Sequence, residues 1–338
     1  MSEIFKEASP GIDYSLEERI TPVQRDDTVN NLKATYSGIK TVLINELEGA
    51  YETGKIFWDR EQVVDRPIDI NGLVGKVRYI PTFAYRQTRY FPGSLDTCSL
   101  CLLTNDRIQI TDSGNDGDFD EFNNSFNVHL NNFPYLDKQV LLSSGKHREL
   151  FSEDQYKIII EFMVNSGFAG AGMQLKGSGA SIPDHAHISV FDEALPIFNS
   201  DYRPVKEAEG TVTAKSVDHP AVCFKVYSGS RNSKLCQMKS LLQELKSRGL
   251  SYNLYFDNQA DVYIIPRTNL SSKSMGITVG QAEVAGIFNS YVDHSETTDI
   301  DELKRQYWEI FTTVTGEQIA EAIKDTTIPN TSHGCIQI

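Results

Sequence analysis

His185-Ala-His187 comes directly after a glycine-rich run, Gly177-Ser-Gly-Ala-Ser-Ile-Pro-Asp184, and heads a short strand-like stretch, His187–Phe191. On a β-strand, residues i and i+2 share a face, so both imidazoles turn toward one site. The glycines ahead of them let backbone N–H groups, with the Ser178 and Ser181 hydroxyls, come close to phosphate oxygens. A histidine is unprotonated often enough at neutral pH to attack phosphorus, and its phosphoramidate is labile enough to turn over. Taken alone, a His-x-His pair is equally a structural pair or two ligands of one metal. The preceding Gly-Ala-Ser and a distant cysteine pair favour phosphate chemistry.

That cysteine pair is Cys98-Ser-Leu-Cys101. A C-x-x-C knuckle places two thiolates on one tetrahedral ion and needs further ligands from elsewhere, which His147 and the pair His185/His187 can supply. Such a Cys₂His₂ set is closed, structural zinc, with no open position for substrate; if one histidine of the pair binds the metal, the other stays free to act as a nucleophile. Two buried thiols or a redox dithiol are the alternatives. A third feature is Arg78, Arg86 and Arg89 among Tyr79, Phe83, Tyr85, Tyr90 and Phe91. These arginines can grip phosphate bidentately beside a stacked base, or belong to a half-buried strand pair with solvated guanidinium groups. Gly172-Met-Gln-Leu-Lys-Gly177-Ser lacks a lysine directly after its second glycine, so it is not a P-loop. His129, His219, His294 and His333 read as core or surface histidines, and Cys223, Cys236 and Cys335 as buried or incidental thiols.

Composition narrows the partners. The chain has 338 residues, 40% of them hydrophobic, enough to bury a sizeable core as one large or two ordinary domains. A net charge of −14 argues against a nucleic-acid backbone as partner, although nucleotides remain within reach of local donors. No apolar run approaches the ~18 residues of a membrane span. The N-terminus lacks a signal-type apolar core, and five thinly spread cysteines suit a reducing compartment. A soluble, cytoplasmic protein is expected.

The periodicity predicts a helix over 30–51 and strands near 74–80, 82–90, 126–130 and 139–143. An exposed acidic loop is expected over 112–124. Ser152-Glu-Asp-Gln155 is a capping box opening a further helix. Strands near 222–227, 252–256 and 262–265, the last two a hairpin, and helices over 233–248, 281–291 and 301–324 complete the second part. This alternation indicates an α+β protein with antiparallel sheet and flanking helices. A seam near 200–215 divides residues 1–205, with the C-x-x-C and His-x-His, from 206–338, the two halves packing as one unit.

Gly179-Ala-Ser-Ile-Pro-Asp-His-Ala-His187 resembles the active-site strand of the histidine-triad (HIT) superfamily. The similar branch holds galactose-1-phosphate uridylyltransferase, the dinucleoside-tetraphosphate phosphorylases and GDP-galactose phosphorylase. Asn131-Asn-Phe-Pro-Tyr, Lys146-His147, Tyr252-Asn-Leu-Tyr-Phe and Val262-Tyr-Ile-Ile-Pro-Arg267 are similar to further blocks of that branch, and the Pro-Asp-His-Ala-His form to an uncharacterised bacterial subgroup with the C-x-x-C. The resemblance implies two HIT-like halves and a structural zinc on Cys98, Cys101, His147 and His185. It implies His187 as covalent nucleophile, with phosphate contacts from Gly179, Ser181, Asn165, Arg86 and Arg89. Where the transferases carry Gln two residues after the nucleophile, to steady the nucleotidylated intermediate, this chain has Ser189. The implied activity is nucleotidyl transfer or phosphorolysis on a nucleotide sugar or dinucleoside polyphosphate, with a phosphate or sugar-phosphate acceptor. Alternatives are a hydrolase releasing nucleoside monophosphate and a non-catalytic zinc-stabilised nucleotide-binding module. The resembling transferases are dimers, which makes a homodimer the expected assembly.

Overall fold

In the computed structural model the described residues are 31–33, 36–81, 98–102, 109–111, 125–267 and 279–290, with short breaks at 55, 57–59, 71, 132–133, 181, 209, 218 and 220, and isolated positions between 301 and 308. The expected strand at 82–90 and loop at 112–124 lie outside them, as does most of 301–324.

The helix expected from residue 30 begins later. Asn31–Lys33 is a short strand, β1, and the helix α1 spans Tyr36–Glu52. Val64–Ile70 (β2) and Leu73–Tyr79 (β3) form a hairpin, Ser99–Leu102 is a single turn of helix (α2), and Gln109–Thr111 (β4) pairs in parallel with β1. Phe126–Leu130 (β5) and Val140–Ser144 (β6) pair antiparallel, β6 lying one residue later than the strand expected at 139–143.

Helix α3, Glu153–Ser166, opens on the capping box read from sequence. Ser152 Oγ accepts from the Gln155 amide at 3.3 Å while Gln155 Oε1 accepts from the Ser152 amide at 2.9 Å. Gly167 ends the helix at φ 77°, a left-handed conformation that favours glycine. Gly170–Gln174 (β7) and His187–Phe191 (β8) follow.

The second half repeats this order with Thr211–Ser216 (β10), Phe224–Ser228 (β11), the helix Arg231–Ser247 (α4), Ser251–Asp257 (β12) and Val262–Arg267 (β13). Tyr202–Ala208 (β9) forms a hairpin with β10, so the division expected at residue 205 falls within a paired strand.

These strands build one nine-stranded sheet in the order β5-β6-β8-β7-β12-β13-β11-β10-β9. Within it β5-β6-β8-β7 and β10-β11-β13-β12 have the same internal arrangement, and the antiparallel β7–β12 pair joins them into one continuous sheet. The architecture is α+β with antiparallel pairing throughout this sheet.

Its two faces differ. Val128, Leu142, Ile188, Val190, Met173, Leu254 and Ile264 face the helices α1, α3 and α4 in one apolar cluster. The opposite face carries His187, Ser189, Phe191, Tyr255, Tyr263 and Ile265 and packs partly against a three-stranded sheet of β2, β3 and Ile287–Ser290 (β14). The helix expected over 281–291 is a single turn, Gln281–Val284 (α5), because Gly286 at φ 96° stops it and β14 then pairs in parallel with β3. Cys236, read as an incidental thiol, is disulfide-bonded.

Arg78 clamps the small sheet to the large one. Its guanidinium makes bidentate contacts with Asp65 (2.7 and 2.7 Å) and with Glu193 (2.7 and 2.6 Å), and donates to the Tyr135 carbonyl at 3.2 Å. This arginine is therefore a buried ion-pair centre rather than a phosphate ligand, and both carboxylates are held below their usual range by it and by Lys76.

His219 is a core histidine, as expected. It is buried, its Nδ1 accepts from the Ala221 amide at 3.0 Å, and burial holds its pKa down at about 4. The unfolded chain binds a proton near pH 6.5 while the folded one does not until about pH 4. Stability is then full above 6.5 and is lost as the pH falls from 6.5 toward 4, by about 3 kcal/mol. Guanidinium titrations at pH 7 and pH 4.5 should show this loss in the wild type and a smaller one in His219→Gln.

Candidate active site

β8 carries the site. His187 and Ser189 stand on the same face, and the strand register sets Ser189 opposite Leu141 of β6 and Gly172 of β7. The His187 Nδ1 lies 2.8 Å from the carbonyl oxygen of His185. A carbonyl only accepts, so Nδ1 carries the proton and Nε2 keeps its lone pair. Among the described residues Nε2 has no hydrogen-bond partner, and His187 lines a cavity with Ser189, Gln139, Gln174, Gln281 and Tyr135. Burial holds this imidazole below the ordinary histidine value, against a smaller upward pull from the His185 carbonyl. The result is a buried, neutral imidazole with its tautomer set and an available nitrogen lone pair.

The cavity is polar and, among the described lining residues, holds no carboxylate and no cationic side chain. Asn131, Tyr135 and Leu141 enter from the β5–β6 side, Gly172 and Gln174 from β7, and Ile182 from the loop before β8. Gln281 at the start of α5 donates to the Tyr135 hydroxyl at 2.6 Å and so ties two walls together. Gly172 is the floor: a Cβ there would sit 2.9 Å from the Tyr255 ring and 3.2 Å from Gln281 Oε1. Gly172→Val should therefore obstruct the cavity and displace Tyr255 and Gln281, costing about 2 kcal/mol of stability and nucleotide affinity together. Parallel thermal denaturation and calorimetric titration with AMP would check this.

The glycine-rich loop is held from below. Gly179 has φ 93°, and a Cβ would meet the Val279 carbonyl oxygen at 2.4 Å, so only glycine fits. Arg267, buried in the second half, donates to the Ser178 carbonyl (3.1 Å), the Val279 carbonyl (3.0 Å) and Asn253 Oδ1 (2.6 Å). Burial lowers its pKa to about 10, which leaves it charged at neutral pH. Ser178, expected beside phosphate, is instead fully buried, with its hydroxyl bonded to both the amide and the carbonyl of Leu175. Asn165 lies exposed near the end of α3, where its amide donates to the Glu161 carbonyl at 2.9 Å, and it does not line the cavity. The long Gly-rich stretch after it folds as β7, which separates it from the loop. Arg86, Arg89 and Ser181 lie outside the described residues.

Just ahead of β8 the sequence-predicted metal residues come together, so the two imidazoles expected to share one site serve separate ones, because His185 precedes the strand. One donor atom each from Cys98, Cys101, His147 and His185 lies within 4.8 Å of all the others. His185 Nδ1 is 3.2 Å from Cys98 Sγ and 3.5 Å from Cys101 Sγ, and His147 Nδ1 is 3.3 Å from Cys101 Sγ. His185 Nε2 lies 2.8 Å from the Ser144 carbonyl, so Nε2 holds the proton and the Nδ1 lone pair faces the sulfurs. Ser144 is fixed in turn by Gln155 of the capping box, whose Nε2 donates to the Ser144 hydroxyl at 3.0 Å. These four residues could hold a metal ion.

A known enzyme has a similar fold. Over 82% of this chain, the crystal structure of yeast Ap4A phosphorylase Apa2 in complex with Ap4A superposes with a TM-score of 0.58 at 12% identity, covering 97% of that chain. The chain is folded like an Ap4A phosphorylase. The Apa2 complex with AMP gives a TM-score of 0.56 at 12% identity, covering 82% of this chain and 96% of Apa2. A further Apa2 crystal structure gives 0.55 at 11% identity, covering 82% and 94%. No protein-family model and no curated protein sequence matches. The likeness therefore shows the fold. Among the described residues no helix is long and apolar enough to cross a membrane.

Sequence reading missed four contributors to the site: Gln139, Gln174, Gln281 and Arg267. Arg267 ends the quoted Val262–Arg267 block, and its position in a run of apolar strand residues was the available signal. The three glutamines meet His187 only through cross-strand register and the packing of α5, which no local pattern encodes.

Proposed function

We propose that this protein is a nucleotidyltransferase or phosphorylase acting on a dinucleoside polyphosphate through a covalent nucleotidyl-His187. The observation that carries the reading is the buried His187 imidazole, proton on Nδ1 and lone pair on Nε2, facing a carboxylate-free cavity in an Ap4A-phosphorylase fold.

With Ap4A as substrate, Nε2 attacks the α-phosphorus and forms a P–N bond as the bridging P–O bond breaks, releasing ATP. Inorganic phosphate then attacks the same phosphorus, the P–N bond breaks, and ADP leaves with Nε2 again unprotonated. Ser189 donates to the phosphoryl oxygens during both displacements. Gly179, Ser181, Arg86 and Arg89 are proposed phosphate contacts on their sequence context. A nucleotide sugar with a sugar-phosphate acceptor would follow the same two steps.

Zinc fits the Cys98, Cys101, His147 and His185 donors. Zn–S bonds of about 2.3 Å and Zn–N bonds of about 2.0–2.1 Å separate tetrahedral sulfur and nitrogen ligands by about 3.6 Å, and the measured separations are 3.2, 3.3 and 3.5 Å. Bound there, zinc fixes the start of β8 and takes no part in the chemistry. A homodimer and a cytoplasmic location belong to the same proposal.

Ser189, shorter than the glutamine of the resembling transferases, favours a second reading in which water replaces phosphate. Incubating the protein with Ap4A, with and without phosphate, and separating the nucleotides distinguishes the two. ATP with ADP, only when phosphate is present, is the expected result. ATP with AMP in either case would make it a hydrolase, and unchanged Ap4A would reject both.

A further inference from the structure

We infer that Gln139 is the positioning residue that aims the Ser189 hydroxyl at the phosphoryl oxygens, an inference that rests on nucleotidyl transfer at His187. Gln139 is fully buried just before β6, and its carboxamide has one possible orientation. Oε1 accepts from the amides of Tyr135 (3.0 Å) and Leu136 (3.3 Å), and two N–H donors can be met only by the oxygen. The NH₂ group therefore points the other way, where it donates to Ser189 Oγ at 2.9 Å.

That bond settles what Ser189 can do. Its oxygen is already an acceptor, so its own hydrogen must find a different acceptor. The residues paired with it across the sheet, Leu141 and Gly172, offer no side-chain acceptor. What lies in front of Ser189 is the cavity shared with His187 Nε2. A donor buried to 4% exposure, already polarised by a second amide and facing a cavity, is suited to an anionic oxygen brought by the ligand. The residue before β6 and β8 itself thus supply, as a carboxamide behind a hydroxyl, a reach that one longer side chain could supply from β8 alone.

The relay has a specific vulnerability. In Gln139→Glu the carboxylate keeps an acceptor for Tyr135 and Leu136 but offers only oxygen to Ser189. The serine then turns its hydrogen back toward residue 139 and presents no donor to the cavity.

The test is steady-state kinetics of Ap4A phosphorolysis on the intact protein. Gln139→Glu and Ser189→Ala should each lower kcat by about 100-fold with KM changed less than about threefold, the signature of a donor that acts in the transition state. The double variant should be no slower than the slower single variant, because both remove one donor. Ser189→Thr, which keeps the hydroxyl, should retain activity within about tenfold of wild type. Melting curves would show that the variants fold, and Gln139→Met, uncharged and of similar length, replaces the glutamate variant if it does not.

An active wild type whose Gln139 variants keep kcat within about threefold, or whose effects multiply in the double variant, would overturn the relay alone. A wild type that turns over no Ap4A, with or without phosphate, would remove the transfer reading and the relay with it.

Discussion

Replacing His187 with alanine is expected to lower kcat on the order of 10⁴-fold or more while leaving the fold in place. The imidazole is the only group whose free nitrogen faces the cavity as an unprotonated nucleophile, among the described lining residues. Without it the direct attack of phosphate or water on the α-phosphorus loses both the covalent step and its alignment. The fold should survive because the ring's hydrogen bond is to the carbonyl two residues back in its own strand, and no other element hangs on it. Circular dichroism and a melting temperature near that of wild type, together with retained AMP affinity, would separate lost chemistry from lost structure. Free imidazole added to the variant should restore part of the release of ATP from Ap4A, giving a nucleotidyl-imidazole in solution. Activity within tenfold of wild type would place the nucleophile elsewhere.

Replacing Cys98 with serine should have the second largest effect, on stability first and on rate through it. Cys98 precedes α2 and Cys101 lies within it, His147 follows β6, and His185 precedes the nucleophile by two residues, so one ion would tie two separate chain segments to the start of β8. Losing a thiolate from a closed four-ligand set abolishes tight binding and leaves the remaining donors crowded. For a chain of this size, a loss of about 4 kcal/mol corresponds to a fall of about 6 °C in melting temperature. Metal analysis should give one zinc per chain in wild type and much less in the variant, with kcat lowered by about 10- to 100-fold as β8 loosens. A wild type purified without metal and insensitive to chelators would contradict this account of the cluster.

How far the sequence could be read depended on whether its signals were local. β5, β6, the capping box of α3 and the β12–β13 hairpin follow from short-range pattern, and the structure has them within a residue or two of expectation. The Cys98, Cys101, His147 and His185 set was legible through the resemblance of the surrounding blocks to the histidine-triad branch, since the C-x-x-C alone also fits buried thiols or a redox dithiol. β7 was not, since Gly170-Ala-Gly172 has no side-chain alternation to read. Its glycines answer to space: a Cβ at Gly170 would lie 2.6 Å from the Phe191 ring, and one at Gly172 would crowd Tyr255. The seam expected near 200–215 falls on the edge hairpin of β9 and β10, which pairs into the nine-stranded sheet. Arg78 was ambiguous for a different reason, as an arginine among aromatics reads the same whether its partner is a phosphate or two carboxylates. Only the fold brings Asp65 and Glu193 to it.

The central claim is the covalent intermediate on His187, and intact-mass analysis of the protein mixed with Ap4A in the absence of phosphate tests it most directly. The account predicts a species heavier by one adenylyl group, mapped to His187, discharged as ADP when phosphate is added, and absent from His187→Ala. Turnover of Ap4A with no adduct at any time from milliseconds to minutes, or an adduct that persists in His187→Ala, would contradict it.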